Sequence, residues 1–225
     1  MGAKISKVDW DKYFLARVSS AEISRARTQR AAHTRFFEGW LRHINSIVPI
    51  YTKGLRVLEV GSGLGGALSV LESHCVRVTG SDISEKVVET GKVLSPTVPF
   101  QHFDIESEVP RGTFDRILSF EVLEHVNKLK DTVSHIYSAL RKGGYFVGST
   151  PYPFKRNIEV PTHVNVHAPD YWKTLFRSSG FRSVATYPMS VPPLIWRIHP
   201  SLGFVVTKYI DLPMWVSSIL IVAKK

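Results

Sequence analysis

The sequence predicts an α/β fold, in which a largely parallel sheet carries helices on both faces. A short apolar run rich in β-branched residues, residues 55–60, is typical of a buried parallel strand. Four glycines follow within residues 61–66, and helical spacing of apolar residues resumes immediately after them. The strand-then-helix pattern then repeats along the chain, as expected for a sheet wound from successive βα units.

The apolar patterns predict seven strands and the helices that connect them. The predicted strands are residues 55–60, 76–80, 100–103, 114–120, 145–150, a strand that starts at 180–181, and 216–223. Helices are predicted at 10–17, 20–48, 67–71, 85–94, 130–140 and 169–178. Pro49 ends the second helix, Ser84 is the expected N-cap of the fourth, and a glycine stop is expected at residues 141–144. We therefore expect a helical N-terminal extension over residues 1–54 and one main domain over residues 55–225.

Composition and charge restrict the functional classes. The chain has 225 residues, 44% of them hydrophobic, and a single cysteine, so an internal disulfide is excluded and a cytoplasmic protein is expected. The net charge is +10, most of it in residues 1–56, where 11 Lys and Arg face 4 Asp and Glu. A solvated basic helix explains this excess, while a nucleic acid or an anionic membrane stays open as a partner.

The glycine-rich stretch fits two binding motifs. Gly61, Gly63 and Gly66 satisfy G-x-G-x-x-G, the dinucleotide pattern. Gly61, Gly63 and Gly65, with Glu59 upstream, satisfy E-x-G-x-G-x-G. Asp82, 21 residues beyond Gly61, ends the second strand, where a carboxylate can accept both ribose hydroxyls of an adenosine. An adenosine-containing ligand is predicted by either motif, and the glycines alone do not choose between them.

The whole set of motifs resembles the class I S-adenosylmethionine (SAM) methyltransferases of the type 11/23 kind, with similarity to ubiquinone-pathway O-methyltransferases. The matching segments are residues 57–66, 82–83, 104–105, 114–115, 121–126, 140–144 and 180–181. This resemblance implies a seven-stranded Rossmann-like sheet whose terminal strand lies antiparallel next to the fifth. It implies SAM as the cofactor, with contacts from Glu59, Gly61, Ser62, Gly63, Gly65, Asp82, Ile83, Asp104, Ile105, Phe120 and Glu121.

A second pattern, E-x-x-E-H, concerns catalysis. Glu121, Glu124 and His125 fall at positions that share one face of a helical turn, and His163 and His167 follow in a loop. The resemblance to metal-assisted O-methyltransferases implies a divalent cation on Glu121, Glu124, His125 and His163. In the alternative interpretation no metal binds, Glu121 lines the pocket, and Glu124 and His125 pack locally. His125, His163 and His167 are the candidate catalytic bases.

An apolar, aromatic insertion at residues 189–216 separates the last two strands and is interpreted as an acceptor lid, a dimer contact or a surface resting on lipid. The leading functional prediction is methyl transfer from SAM to a small-molecule acceptor, at an oxygen nucleophile. We expect that acceptor to be hydrophobic or lipid-linked, with peripheral membrane contact. The alternatives are an RNA 2′-O- or base methyltransferase and a SAM-binding regulator without turnover. No oligomeric state is predicted.

Overall fold

The computed structural model describes residues 8–17, 23–192 and 204–225, with side chains omitted for residues 14–17. The helices are α1 Trp10–Arg17, α2 Ile23–Ile47, α3 Gly66–Ser73, α4 Glu85–Leu94, α5 Leu129–Ala139, α6 Lys155–Ile158 and α7 Pro169–Ser178. The strands are β1 Arg56–Val60, β2 Arg77–Asp82, β3 Phe100–His102, β4 Phe114–Phe120, β5 Leu140–Pro151, β6 Ser183–Val191 and β7 Val216–Lys224. A short 3₁₀ turn spans Leu123–His125.

The strands form a seven-stranded sheet in the order β3-β2-β1-β4-β5-β7-β6. The pairs β1–β2, β1–β4, β2–β3 and β4–β5 are parallel, whereas β7 runs antiparallel to β5 and to β6. The predicted Rossmann-like sheet is confirmed, and its last strand lies antiparallel beside β5 as the resemblance implied.

Alternating side chains divide the core into two layers, one on each face of the sheet. On one face, Val57 and Leu118 pack against Trp40 and Ile44 of α2 and against α3. The opposite face of the sheet packs against α5 and α7, which contribute fully buried side chains such as Trp172. Helices on both faces are therefore confirmed, and this arrangement leaves the ends of the strands open for a site.

Local signals correctly predict several boundaries. Helix α4 begins after Ser84, whose hydroxyl accepts a hydrogen bond from the N–H of Val87 at 3.2 Å. Pro169 starts α7, where a missing N–H costs nothing, and α2 ends at Ile47, just before Pro49. The start expected for the second helix at Ser20 lies outside the described residues.

The glycine stop predicted at residues 141–144 is wrong. Strand β5 begins directly at Leu140, which pairs with Phe114, and the register then shifts so that Arg116 pairs with Tyr145. The intervening residues form an irregular bulge in which Gly143 has a φ of 77° and its N–H donates to the carbonyl of Lys225. Pairing with distant parts of the chain, rather than the local glycines, determines this segment.

The apolar insertion is described in part, and its predicted bounds of 189–216 are too wide, because residues 189–191 belong to β6 and Val216 begins β7. Residues 193–203 lie outside the described residues, and the section from Phe204 to Trp215 is a loop with an isolated bridge between Val206 and Ser190. None of the helices in the described ranges has the length and apolar content that a bilayer span requires.

Candidate cofactor and acceptor site

Two adjoining cavities lie where the parallel strands end. The larger, of about 530 Å³, is reached by residues that follow β1, β2, β3 and β4, and a neighbouring cavity of about 300 Å³ extends along the glycine turn. The strand order reverses between β1 and β4, so this edge is the crevice in which open α/β sheets bind ligands.

The glycine turn requires glycine for both conformational and steric reasons. Gly61, Gly63 and Gly65 have φ values of 73°, 49° and 75°, in the left-handed region. A Cβ on Gly61 would lie only 2.3 Å from Cγ2 of Val122. Because the turn passes so close to the segment after β4, a side chain at this position would force the turn or Val122 to shift.

Asp82 connects the glycine turn to the end of β2. One carboxylate oxygen accepts the N–H of Gly63 at 3.1 Å and the other accepts the N–H of Ser84 at 3.0 Å. Burial raises the pKa of this carboxyl group, although the backbone hydrogen bonds oppose the shift. The carboxylate therefore lies at the cavity wall, held in one orientation by the backbone.

Glu59 is the most deeply buried carboxyl group at the smaller cavity, and only 2% of it is exposed. Its Oε2 has no hydrogen-bond partner among the described residues. Burial and the neighbouring charge of Asp82 raise its pKa well above the ordinary value. A buried carboxylate with an unsatisfied oxygen at a cavity is costly unless a cationic ligand compensates it. These carboxyl groups therefore fit SAM, which carries an ammonium and a sulfonium.

Two further carboxyl groups line the larger cavity beyond β4. Glu121 adopts a φ of 56°, rare for a residue with a side chain, and its Oε1 accepts a hydrogen bond from Ser149 at 2.7 Å. Glu124 is 1% exposed, and burial together with the charge of Glu121 raises its pKa well above the ordinary value. A strained backbone and buried carboxyl groups are thus concentrated at this wall of the cavity, as is common at functional sites.

Two histidines meet Glu124 at the same wall. The Nδ1 of His125 lies 2.9 Å from the carbonyl of Thr162, and the Nδ1 of His163 lies 2.8 Å from the carbonyl of Asn157. A carbonyl can only accept, so each Nδ1 carries the proton and, in the neutral ring, Nε2 is the basic nitrogen. Ligand atoms of Glu124, His125 and His163 all lie within 4.8 Å of one another.

The N-terminal helices form a wall that residue-level sequence reasoning missed. Trp10 and Tyr13 of α1 and His33 of α2 line both cavities, and the ring of Trp10 meets that of His125 edge-on at 5.1 Å. Burial lowers the pKa of His33. Asp11 fastens α1 to α4 by accepting the hydroxyl proton of Ser84 at 2.5 Å. The helical spacing of Gln29, His33 and Phe37 was the signal that could have identified this wall.

Most of the predicted site residues reach the cavities. The larger cavity is lined by Gly61, Gly63, Asp82, Ile83, Asp104, Ile105, Glu121, Glu124, His125 and His163. The smaller adds Glu59, Ser62 and Phe120. Gly65 shapes the turn without lining either cavity, and His167 lies outside both, where it stacks on Tyr171 and meets Asn165 Oδ1 through Nε2 at 3.2 Å. The structure therefore separates His167 from the other two candidate bases.

Residues 31–186 match the family model of a methyltransferase domain. The chain belongs to this methyltransferase family. The match decides between the two glycine motifs, because it favours the SAM methyltransferase pattern over the dinucleotide one. The predicted class I SAM-dependent methyltransferase is thereby confirmed at the level of family and fold.

Relatives of known name agree with this assignment. The chain is 32% identical over 141 residues to a ubiquinone biosynthesis O-methyltransferase of Paramagnetospirillum magneticum, covering 60% of this chain and 53% of the relative. It is 37% identical over 114 residues to a phosphatidylethanolamine N-methyltransferase of Cereibacter sphaeroides, covering 47% and 52%. The chain spans about half the length of these curated relatives.

Solved structures match over the full length. Magnesium protoporphyrin IX methyltransferase from Synechocystis with bound SAM aligns with a TM-score of 0.64 and 18% identity, covering 100% of both chains. A methyltransferase of Haloferax volcanii in complex with the Trm112 methyltransferase activator aligns with a TM-score of 0.68 and 16% identity, covering 98% of this chain and 99% of that one. At such identities the likeness shows the fold alone.

Proposed function

We propose that this protein transfers a methyl group from SAM to an oxygen of a small-molecule acceptor. The observation that carries the proposal is that His125 and His163 line the same cavity as Asp82 and Glu121. The candidate bases and the cofactor-binding end thus share one cavity. Methyl transfer needs little beyond such alignment, because the sulfonium itself supplies a reactive methyl carbon.

The carboxyl groups that line the cavities suggest which part of SAM each residue would hold. Glu59 would neutralise the ammonium of the methionine part, Asp82 would accept the ribose hydroxyls, and Asp104 would accept the adenine amino group. Glu121 would face the sulfonium, and its carboxylate would stabilise the positive charge on sulfur. The glycine turn would let the backbone approach the ligand, because its residues carry no Cβ.

One of the two histidines would accept the proton of the acceptor hydroxyl. A lone pair of the acceptor oxygen forms the new bond to the methyl carbon while the bond from that carbon to sulfur breaks, and its electrons stay on sulfur. The hydroxyl proton passes to Nε2 of His163 or His125, whose Nδ1–H is held by a backbone carbonyl. These carbonyls fix the tautomer that acts as a base.

A second route to deprotonation would use a divalent cation. The ligand atoms of Glu124, His125 and His163 lie close enough for one ion, and the mixed carboxylate and imidazole set suits Mg, Mn, Fe or Zn. Glu121 interacts electrostatically with Glu124 of this group, while its Oε1 accepts a hydrogen bond from Ser149. An ion there would lower the pKa of a coordinated hydroxyl. Retention of activity in excess chelator would assign the proton to the imidazole route.

The acceptor class rests on the cavity walls and on the relatives. Aromatic side chains such as Trp10, Tyr13 and Phe103 line the same cavity as the histidines. The named relatives methylate in ubiquinone biosynthesis and on phosphatidylethanolamine, so a hydrophobic or lipid-linked acceptor is proposed. The proposal includes a helical extension over residues 1–54 and a methyltransferase domain over residues 55–225. It also includes an acceptor lid within residues 189–216 and a cytoplasmic location.

The test is methyl transfer from labelled SAM to a panel of phenols and catechols with apolar tails of increasing length. His163→Ala and His125→Ala should lower turnover at least about a hundredfold while calorimetry shows unchanged SAM affinity. The matched control is His74→Ala, which changes an exposed histidine that stacks on Tyr51 away from the cavities.

Three outcomes would overturn the proposal: methylation of nitrogen only, full turnover in both cavity variants, or no product with any acceptor despite SAM binding. The last would favour a SAM-binding regulator. Acceptance of RNA, with binding that falls steeply as salt rises, would favour the nucleic-acid alternative.

A further inference from the structure

An exposed apolar turn precedes β7. Residues 212–215 form a turn closed by a hydrogen bond from the N–H of Trp215 to the carbonyl of Leu212 at 3.2 Å. Leu212 is 52% exposed and Met214 is 68% exposed, and Pro213 between them is also exposed. Turn tips are ordinarily polar, so three consecutive apolar side chains in water need a reason outside the folded chain.

The backbone of this turn is strained so as to present Met214. Proline at the second position and a left-handed third residue are the pattern of a type II turn, in which glycine or asparagine ordinarily occupies the third position. Met214 occupies it here with a φ of 66°. This conformation is sterically unfavourable for a methionine, and burial of the side chain does not compensate for it.

The turn is firmly held, so its exposure does not come from loose packing. The guanidinium of Arg156 in α6 donates to the carbonyls of Ile210 and Trp215 at 3.3 Å each and pairs with Asp211. Ser217 accepts the N–H of Ile210 at 3.1 Å. Contacts on both flanks therefore hold the turn in place while its tip stays exposed.

The position of the turn relates it to the acceptor. Ser218 of β7 pairs with Pro151 at the carboxyl end of β5, the same edge at which Glu121 and His163 line the larger cavity. The turn, which comes just before β7, therefore projects beyond the edge where the cavity lies. A surface that held the turn would also hold the cavity edge close to itself.

The charges beside the turn favour an anionic surface. Lys208 lies shortly before the turn in the chain. Arg156 of α6 contacts the turn, and its neighbour Lys155 has a side chain that is 88% exposed. The opposing carboxylates are Asp211, which pairs with Arg156, and Glu159, which lies 3.7 Å from Lys155. Three cations therefore face two carboxylates beside the turn, a local excess of one positive charge.

We propose that Leu212, Pro213 and Met214 insert into the surface of an anionic bilayer and hold the cavity edge of the sheet against the lipid. Apolar side chains provide the insertion, and the neighbouring cations select anionic headgroups. Leu212 has its carbonyl bonded and Pro213 lacks an N–H, so few bare polar groups enter the headgroup region. This docking does not depend on the proposed methyl transfer.

Co-sedimentation with vesicles tests the proposal without SAM or any acceptor, so its outcome is separate from that of the methyl-transfer assay. The probes are vesicles of phosphatidylcholine with and without phosphatidylglycerol. We expect binding to the anionic vesicles, and an at least about tenfold loss of binding in the Leu212→Ser/Met214→Ser double variant. The matched control is Val93→Ser/Val109→Ser, at two valines 54% and 49% exposed elsewhere on the surface.

Met214→Gly separates docking from folding. Glycine relieves the left-handed strain, so this variant should melt at a higher temperature and yet bind vesicles less well. A purely structural turn would leave vesicle binding unchanged in this variant. Absence of wild-type binding, equal loss in the valine control, or lipid-free self-association that the double variant abolishes would each overturn the proposal, the last by identifying a protein interface.

Discussion

The carboxylate of Asp82 accepts the backbone N–H of Gly63 at 3.1 Å, which connects the end of β2 directly to the glycine turn after β1. Nineteen positions separate the two residues, and the parallel pairing of β1 with β2 brings them together. One side chain thus orders the turn and presents oxygens to the cavity. The structural and binding roles of Asp82 are therefore coupled.

Asp82→Ala should weaken SAM binding by about 1–3 kcal/mol, the cost of leaving hydroxyl partners unpaired. Calorimetry measures this directly. Asp170→Ala is the control, because the Asp170 side chain is 92% exposed and lies on α7, outside both cavities. An unchanged dissociation constant for Asp82→Ala would remove the ribose assignment.

Gly61→Ala should destabilise the protein more than Gly54→Ala. Both glycines have positive φ, 73° and 82°, so both variants pay about 1 kcal/mol of backbone strain. Only Gly61 adds a clash, because its Cβ would lie 2.3 Å from Val122, whereas Gly54 has open space. Overpacking adds about 1–3 kcal/mol more. Urea unfolding compares the two, and equal losses would show that the turn shifts freely.

Asp11→Ala should accelerate SAM dissociation about five- to tenfold. Its carboxylate accepts the hydroxyl of Ser84 and the N–H of Lys86, which holds α1 and its Trp10 over the cavity. Losing these bonds costs on the order of 1 kcal/mol of closure, which stopped-flow displacement detects as a faster off-rate. Lys12→Ala, an exposed change on the same helix, serves as the control. Identical off-rates would contradict a closing role for α1.

SAM affinity should rise as pH rises above the ordinary carboxyl range of about 4. Burial raises the pKa of Glu59 and of Asp82, so both carboxyl groups hold protons above their ordinary range in the cofactor-free protein. A cationic ligand favours the carboxylates, so its binding releases protons. Calorimetry in buffers of different ionisation enthalpy measures that release, and Glu59→Gln should reduce it. A pH-independent dissociation constant would argue against this coupling.

The same raised pKa values predict how stability depends on pH without SAM. A carboxyl group whose folded pKa exceeds its unfolded pKa stabilises the fold while it is protonated, and that contribution is lost as pH rises from the unfolded pKa through the folded pKa. Glu59, Asp82, Glu121 and Glu124 all shift in this direction. The melting temperature of the cofactor-free protein should therefore fall as pH rises above about 4.5, and SAM should offset the fall. A flat or rising melting temperature would contradict this.

Features that depend on neighbours in the chain were predictable. Strand β4 occupies residues 114–120 as predicted, and α4 occupies 85–94 because Ser84 caps it locally. The acids at strand ends were also recognisable, since parallel strands bring their carboxyl ends to one edge. Residues 140–144 were not predictable, because pairing with Phe114 and with Lys225 overrides the local glycine signal.

The sequence by itself determined the α/β class, the glycine turn and the acidic residues at the carboxyl ends of β1 to β4, since each depends on residue type and short-range spacing. Only the tertiary structure showed that Trp10, Tyr13 and His33 line the cavities. It also showed that His167 lies outside the cavity that His125 and His163 line. It also revealed Met214 in a strained, exposed turn. Such relationships join residues far apart in the chain, and packing of whole helices and strands decides them after the local preferences are satisfied.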